Sequence, residues 1–202
     1  MTIHKNQRNQ HQKLTSRETV IQEGLHFLEG THIQSICKLC ISKGGSCCTG
    51  CMHLKNGSGC QLRNTSCTAW LCGFLKYLLY EAELLENWTS FWERVPGQDY
   101  RKDYTPSAFY INKQLMPLNI SELGKALTED LNELANLHLG EPDYIIRLRE
   151  EIDKDLIYMR VWRHTPEKTK TAKAHLKRLT KDLTRFHLAI EQYHQSNYQE
   201  EL

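Results

Sequence analysis

All eight cysteines of this chain lie between Cys37 and Cys72, and the same stretch contains no Asp or Glu. The order is Cys37-x2-Cys40, then Cys47-Cys48-x2-Cys51, then the single residues Cys60, Cys67 and Cys72. Gly44, Gly45, Gly50, Gly57, Gly59 and an Asn56-Gly57 turn signal punctuate the stretch, which has too few large apolar residues to pack a core of its own. Something other than apolar burial must hold it in shape. Metal ligation supplies such a term, because in small metal-held modules binding free energy becomes folding free energy.

The spacing suits that chemistry. A C-x-x-C turn brings two thiolates onto one ion, with backbone N–H groups left to bond the sulfurs. Cys37/Cys40 and Cys48/Cys51 are two such turns; paired, they make one four-thiolate site, although the loop from Ile41 to Cys47 is shorter than that of a zinc ribbon. Cys47, Cys60, Cys67 and Cys72 then form a second site or mix with the first. Adjacent Cys47 and Cys48 do not aim at one ion with the same geometry, so they serve different sites or bridge neighbouring metals. Zinc and a [4Fe–4S] cluster both remain open as the occupant. Either leaves net negative charge on four thiolates, and Lys38, Lys43, Lys55 and Arg63 are at hand to offset it in a chain where 24 of 202 residues are acidic elsewhere. The same cations would also suit a polyanionic partner, the less favoured reading. His32 and His53 flank the cluster, but a lone histidine is more often a surface or satisfied core residue than a ligand.

Context decides between metal and disulfide. Residues 1–14 are polar and read as a disordered tail without the apolar run of a secretory signal. The longest apolar stretch, Trp70 to Tyr80, is interrupted and far short of the ~20 residues a membrane span needs. A cytoplasmic location is expected, and clustered thiols in a reducing compartment hold metal more often than they form disulfides. A net charge of +2 argues by itself for neither nucleic acid nor membrane.

Around the cysteines the pattern is helical. Residues 15–36 read as a helix leading into the metal lobe, with Thr15 as N-cap, Glu18 closing a capping box and Gly30 a stop. Lobe 37–72 follows, and then a helical body, 73–202. Apolar residues recur at steps of three and four from Trp70 to Trp92 as one run ended by Pro96-Gly97. Residues 97–117 read as an irregular connection whose Tyr100, Tyr104, Phe109 and Tyr110 pack on the core rather than line a cleft. Ser121 is expected to cap a helix carrying Leu123, Leu127, Leu131, Leu134 and Leu137. After Gly140-Glu141-Pro142 comes a helix with Ile145, Leu148, Ile152, Leu156 and Met159 inward. One final helix starts at Pro166, with Ala172, Leu176, Leu179, Leu183, Phe186, Ile190 and Tyr193 as its seam. Lys170, Lys173, Lys177 and Lys181 form a basic stripe on it, read as an ordinary solvated face before a phosphate-binding one. The fold class expected is mainly α: a bundle-like helical body with a small irregular Cys-rich lobe near the N-terminus and no convincing β pattern.

The runs Gly45-Ser46-Cys47-Cys48-Thr49-Gly50-Cys51-Met52-His53-Leu54, Gly59-Cys60-Gln61-Leu62-Arg63 and Cys67-Thr68-Ala69-Trp70-Leu71-Cys72 resemble the zinc- or iron-chelating cysteine-cluster domain family (YkgJ-like). The resemblance covers residues 37–72 and implies metal chelation. Flagellin lysine methylases carry a similar cysteine cluster, which implies an iron–sulfur cofactor as one possibility. Methylation does not carry across, since no glycine-rich S-adenosylmethionine loop follows a strand, and no C-x3-C-x2-C signature occurs. No nucleophile, base or carboxylate pair stands in a motif that specifies its geometry. The reading is thus an accessory, sensing or adaptor metal protein that meets a protein partner through its helices. An iron–sulfur enzyme and a nucleic-acid binder using the lobe and the basic helix are the alternatives.

Overall fold

The computed structural model describes residues 12–45, 51–55, 59–60, 63–99 and 102–200. The protein is mainly helical, as the periodicity predicts, and among the described residues nine helices alternate with three two-stranded antiparallel sheets. The sheets are small and were not legible as β pattern. Strand β1 (Lys13–Ser16) pairs with β6 (Ala108–Ile111), Lys13 opposite Ile111. The pair β2 (Leu54–Lys55) and β3 (Gly59–Cys60) lies within the cysteine segment, and β4 (Gln98–Asp99) pairs with β5 (Lys102–Asp103). Lys13 and Leu14, read as part of a polar tail, belong to a strand, and the 97–117 connection contains the other three strands. Phe109 in that connection is buried, but Tyr104 and Tyr110 are exposed; Tyr100 and the Asn56-Gly57 signal lie outside the described residues.

Helix α1 (Arg17–Glu29) starts one residue later than expected: Ser16, not Thr15, accepts from Thr19 N–H at 3.1 Å and is the N-cap. Thr15 is spent on the ladder with Phe109. Gly30 is the C-cap. The chain then passes Thr31, whose hydroxyl bonds the Leu28 carbonyl at 2.6 Å, and His32, held at φ 59°, into α2 (Ile33–Ser42). After the short α3 (Thr65–Ala69), which ends just before Trp70, the run from Trp70 to Trp92 is two helices, α4 (Gly73–Glu81) and α5 (Leu85–Trp92). Helix α4 ends in a Schellman motif, Leu84 N–H bonding Leu79 O at 2.7 Å and Glu83 N–H bonding Tyr80 O at 3.0 Å. Its left-handed residue is Glu83 (φ 59°) instead of the usual Gly, so no breaker residue marks the stop.

Helices α6 (Ser121–Leu137) and α7 (Tyr144–Val161) bury the faces read from the sequence, apart from Leu137, which is 72 % exposed at the end of α6. Ser121 is the first helical residue; the N-cap is Ile120, which provides no side-chain cap. The single last helix is in fact α8 (Pro166–Leu179) and α9 (Thr184–Glu200). Thr180 is buried and its hydroxyl bonds back to the Leu176 carbonyl at 3.0 Å, while Leu183 N–H turns to Thr180 O.

Helix α7 packs on α8 and α4, α6 packs on α9 and α2, and α1 packs on α3. The core is continuous: Val20, Phe27, Ile36, Phe74, Leu78, Trp88, Phe91, Leu127, Leu131, Ile152, Leu183 and Phe186 are all essentially inaccessible. Helix α2 contributes Ile36 and Leu39 to it, so part of the segment read as an irregular lobe is a core helix. No described helix is long and apolar enough to cross a membrane.

Candidate metal centre

Cys37 and Cys40 lie three residues apart on α2, so both project from one face of a helix and not from a turn. Cys37 is half-buried and Cys40 buried. Helix α2 ends in a second Schellman motif, with Gly45 N–H bonding Cys40 O at 2.9 Å and Gly44 N–H bonding Ile41 O at 3.0 Å. Gly44 takes the left-handed position at φ 81°. This turn folds the chain back over Cys40: a Cβ at Gly45 would stand 2.3 Å from Cys40 Sγ. A glycine is required there, and the chain leaves it two residues before Cys47.

Cys72 arrives from the other side as the buried N-cap of α4. Its carbonyl accepts from Lys76 N–H at 2.9 Å. A helix N-terminus favours a thiolate. The next residue must also be glycine, since a Cβ at Gly73 would stand 2.0 Å from the backbone oxygen of Arg149 on α7. Lys76 Nζ to Asp153 Oδ1 at 2.7 Å ties the same two helices one turn further along. Through this close seam Arg149 reaches α2, and its Nη1 donates to Cys40 Sγ at 3.2 Å.

The electrostatics record the neighbourhood. Burial pushes the Cys37 thiol up to about 11, with further upward contributions from Cys72 and then Cys40, opposed by Arg63. Burial likewise raises Cys40, against the charge and hydrogen bond of Arg149, while Cys72 and Glu150 push it further up. Three thiols of the cysteine segment therefore sense one another across α2 and α4. Without a cation Cys37 and Cys40 hold their protons at neutral pH; a coordinated metal ion reverses that balance by removing the proton outright.

Cys51, half-buried, and Cys67, half-buried on α3, are the other described thiols. Helix α3 is anchored by Asp103, which accepts from Thr65 N–H at 3.0 Å, Thr65 Oγ1 at 2.8 Å and Thr105 N–H at 3.0 Å. Cys67 N–H donates to the N-cap Asn64 at 2.8 Å. Cys47, Cys48 and the Cys60 side chain lie outside the described residues. Among the described residues, no group of three or more His, Cys, Asp or Glu side chains is gathered as a metal-holding set. His32 is engaged otherwise, its Nε2 lying 2.9 Å from Ser35 Oγ, and His53 is exposed.

Arg149 is the residue that sequence reasoning missed. It lies 109 positions from Cys40 in a helix read only for its apolar face, and no local pattern links the two. No protein-family model, curated protein or solved structure matches this chain.

Proposed function

We propose that this chain is a metal-binding protein that coordinates zinc or an iron–sulfur cluster through the thiols of residues 37–72, in an accessory, sensing or adaptor role. The observation that carries the reading is that Cys37 and Cys40 share a face of α2 where Arg149 bonds Cys40 Sγ, while Cys72 starts α4 next to Gly73, which packs on the Arg149 backbone. The remaining ligands come from Cys47, Cys48, Cys51, Cys60 and Cys67. Thiols clustered at this density, in a segment without a carboxylate, are suited to an anionic metal–thiolate site. Anaerobic purification followed by metal analysis and an ultraviolet–visible spectrum tests it. Stoichiometric zinc in a colourless protein, or iron with broad visible absorbance, is the expected result; a folded protein with neither metal overturns it.

A second reading, binding of a nucleic acid, draws on α8. Lys170, Lys177, Arg178 and Lys181 line a shallow groove of about 750 Å³ with Thr171 and Ala174, and none of these lining residues is acidic. Retention on immobilised nucleic acid that weakens steeply with salt would favour this reading; passage without retention at low salt removes it.

A further inference from the structure

We propose that Arg149 is the counter-cation of the thiol site, a positioning residue whose guanidinium holds Cys40 Sγ and offsets the negative charge that metal ligation builds there. The inference rests on the metal-binding reading above. Four thiolates around Zn²⁺, or around a [4Fe–4S]²⁺ core, leave two net negative charges in a partly buried place. That charge needs a partner of opposite sign that water does not screen. Lys38 and Arg63 of the cysteine segment are exposed, so they answer weakly. Arg149 is different: its side chain is only 11 % exposed, whereas that of its neighbour Glu150, bonded to Nη2 at 3.1 Å, is 54 % exposed. One arm of the guanidinium faces the sulfur and the other faces a solvated carboxylate.

The backbone is built to bring it there. Gly73 allows the Arg149 carbonyl to approach where any side chain would collide, and this same contact places Cys72 beside α7. Lys76 and Asp153 lock the register of the two helices. Outer partners of this kind orient a ligand and raise its affinity for metal, and their loss typically weakens binding about 10- to 100-fold. A planar fork also donates in a fixed direction that an ammonium does not reproduce.

The test compares the full-length protein with Arg149→Met, which keeps the apolar stem, and Arg149→Gln, which keeps a donor but loses the charge. Arg147→Met is the control on the exposed side of the same helix, where Arg147 pairs with Glu141 and Asp143. Each protein is loaded with Zn²⁺ and competed against a chromogenic chelator, with circular dichroism to establish that it is folded. The expected result is Zn²⁺ affinity lower by about 10-fold or more in both Arg149 variants and unchanged in Arg147→Met. Should Arg149→Met fail to fold, Arg149→Gln decides. A folded Arg149 variant that competes as the wild type does overturns the proposal and leaves the metal reading standing. A wild-type protein that takes up no Zn²⁺ overturns both.

Discussion

Asp130 shows how much one buried residue can organise. It is 1 % exposed on α6, and its carboxylate accepts from Arg185 Nη1 at 2.8 Å and from Phe186 N–H at 2.9 Å. The second bond satisfies a backbone donor in the first turn of α9, where a negative charge is also favoured by the helix dipole. Replacing it by alanine removes the cap and leaves the buried Phe186 N–H without an acceptor, while Arg185, half exposed, keeps Glu133. Asp130→Ala is expected to cost about 1–3 kcal/mol, read as a lower midpoint in urea unfolding. Asp103 acts at the cysteine-bearing end. Burial pushes its pKa up, but hydrogen bonds from the backbone and hydroxyls of Thr65 and Thr105 outweigh this and hold it below the usual carboxylate range. Because the folded value is depressed, the unfolded chain takes up the proton first as pH falls. The stabilisation is therefore complete above the unfolded value of about 4 and is lost as pH drops through the folded one. Melting temperatures measured from pH 6 down to pH 3 should show this loss, and Asp103→Asn should flatten that part of the profile.

The seam between α4 and α7 is the element on which the candidate site depends. Its closeness comes from Gly73, whose missing Cβ would meet Arg149 O at 2.0 Å and Asp153 N at 2.9 Å. Both obstacles are backbone, so neither can swing aside. Gly73→Ala is expected to push the helices apart and cost about 1–3 kcal/mol, seen as a lower melting temperature. In the metal-binding reading it also weakens metal retention, because Cys72 moves with the start of α4. Elements were legible where periodicity was strong: α6 and α7 follow their leucine and isoleucine spacings. Their interruptions were not. The α4 end places Glu83 in a conformation usually given to glycine, and the α8–α9 break is made by a buried Thr180 and by Asp130 from another helix. Neither leaves a proline or glycine to be read, and the apolar seam keeps its three-and-four rhythm across the second break.

At the scale of the molecule, the cysteine segment and the helical body share a core. Helix α2 inserts Ile36 and Leu39 against α6, and Gly124 of α6 lies so close to Thr31 that a Cβ there would stand 1.9 Å from the Thr31 carbonyl. A metal held by the thiols would therefore stabilise the whole fold and not merely its own loop. Stripping it with a chelator is expected to lower the global melting temperature, by an amount equivalent to about 2.7 kcal/mol if free metal had stood at 100 times its Kd. An unchanged melting temperature in a protein shown to have lost metal would mean that ligation is uncoupled from folding. The cysteine cluster, its acid-free setting and the helical class were all determined by the sequence alone, because residue type, spacing and the 3.6-residue period are local properties that any reader of the chain can count. Only tertiary structure decided that the first C-x-x-C is part of a core helix, that Cys72 begins a second helix packed on the Arg149 backbone, and that Arg149 faces Cys40. Those pairings join residues as far as 109 positions apart, and their proximity follows from how helix faces pack and where a glycine lets two backbones touch.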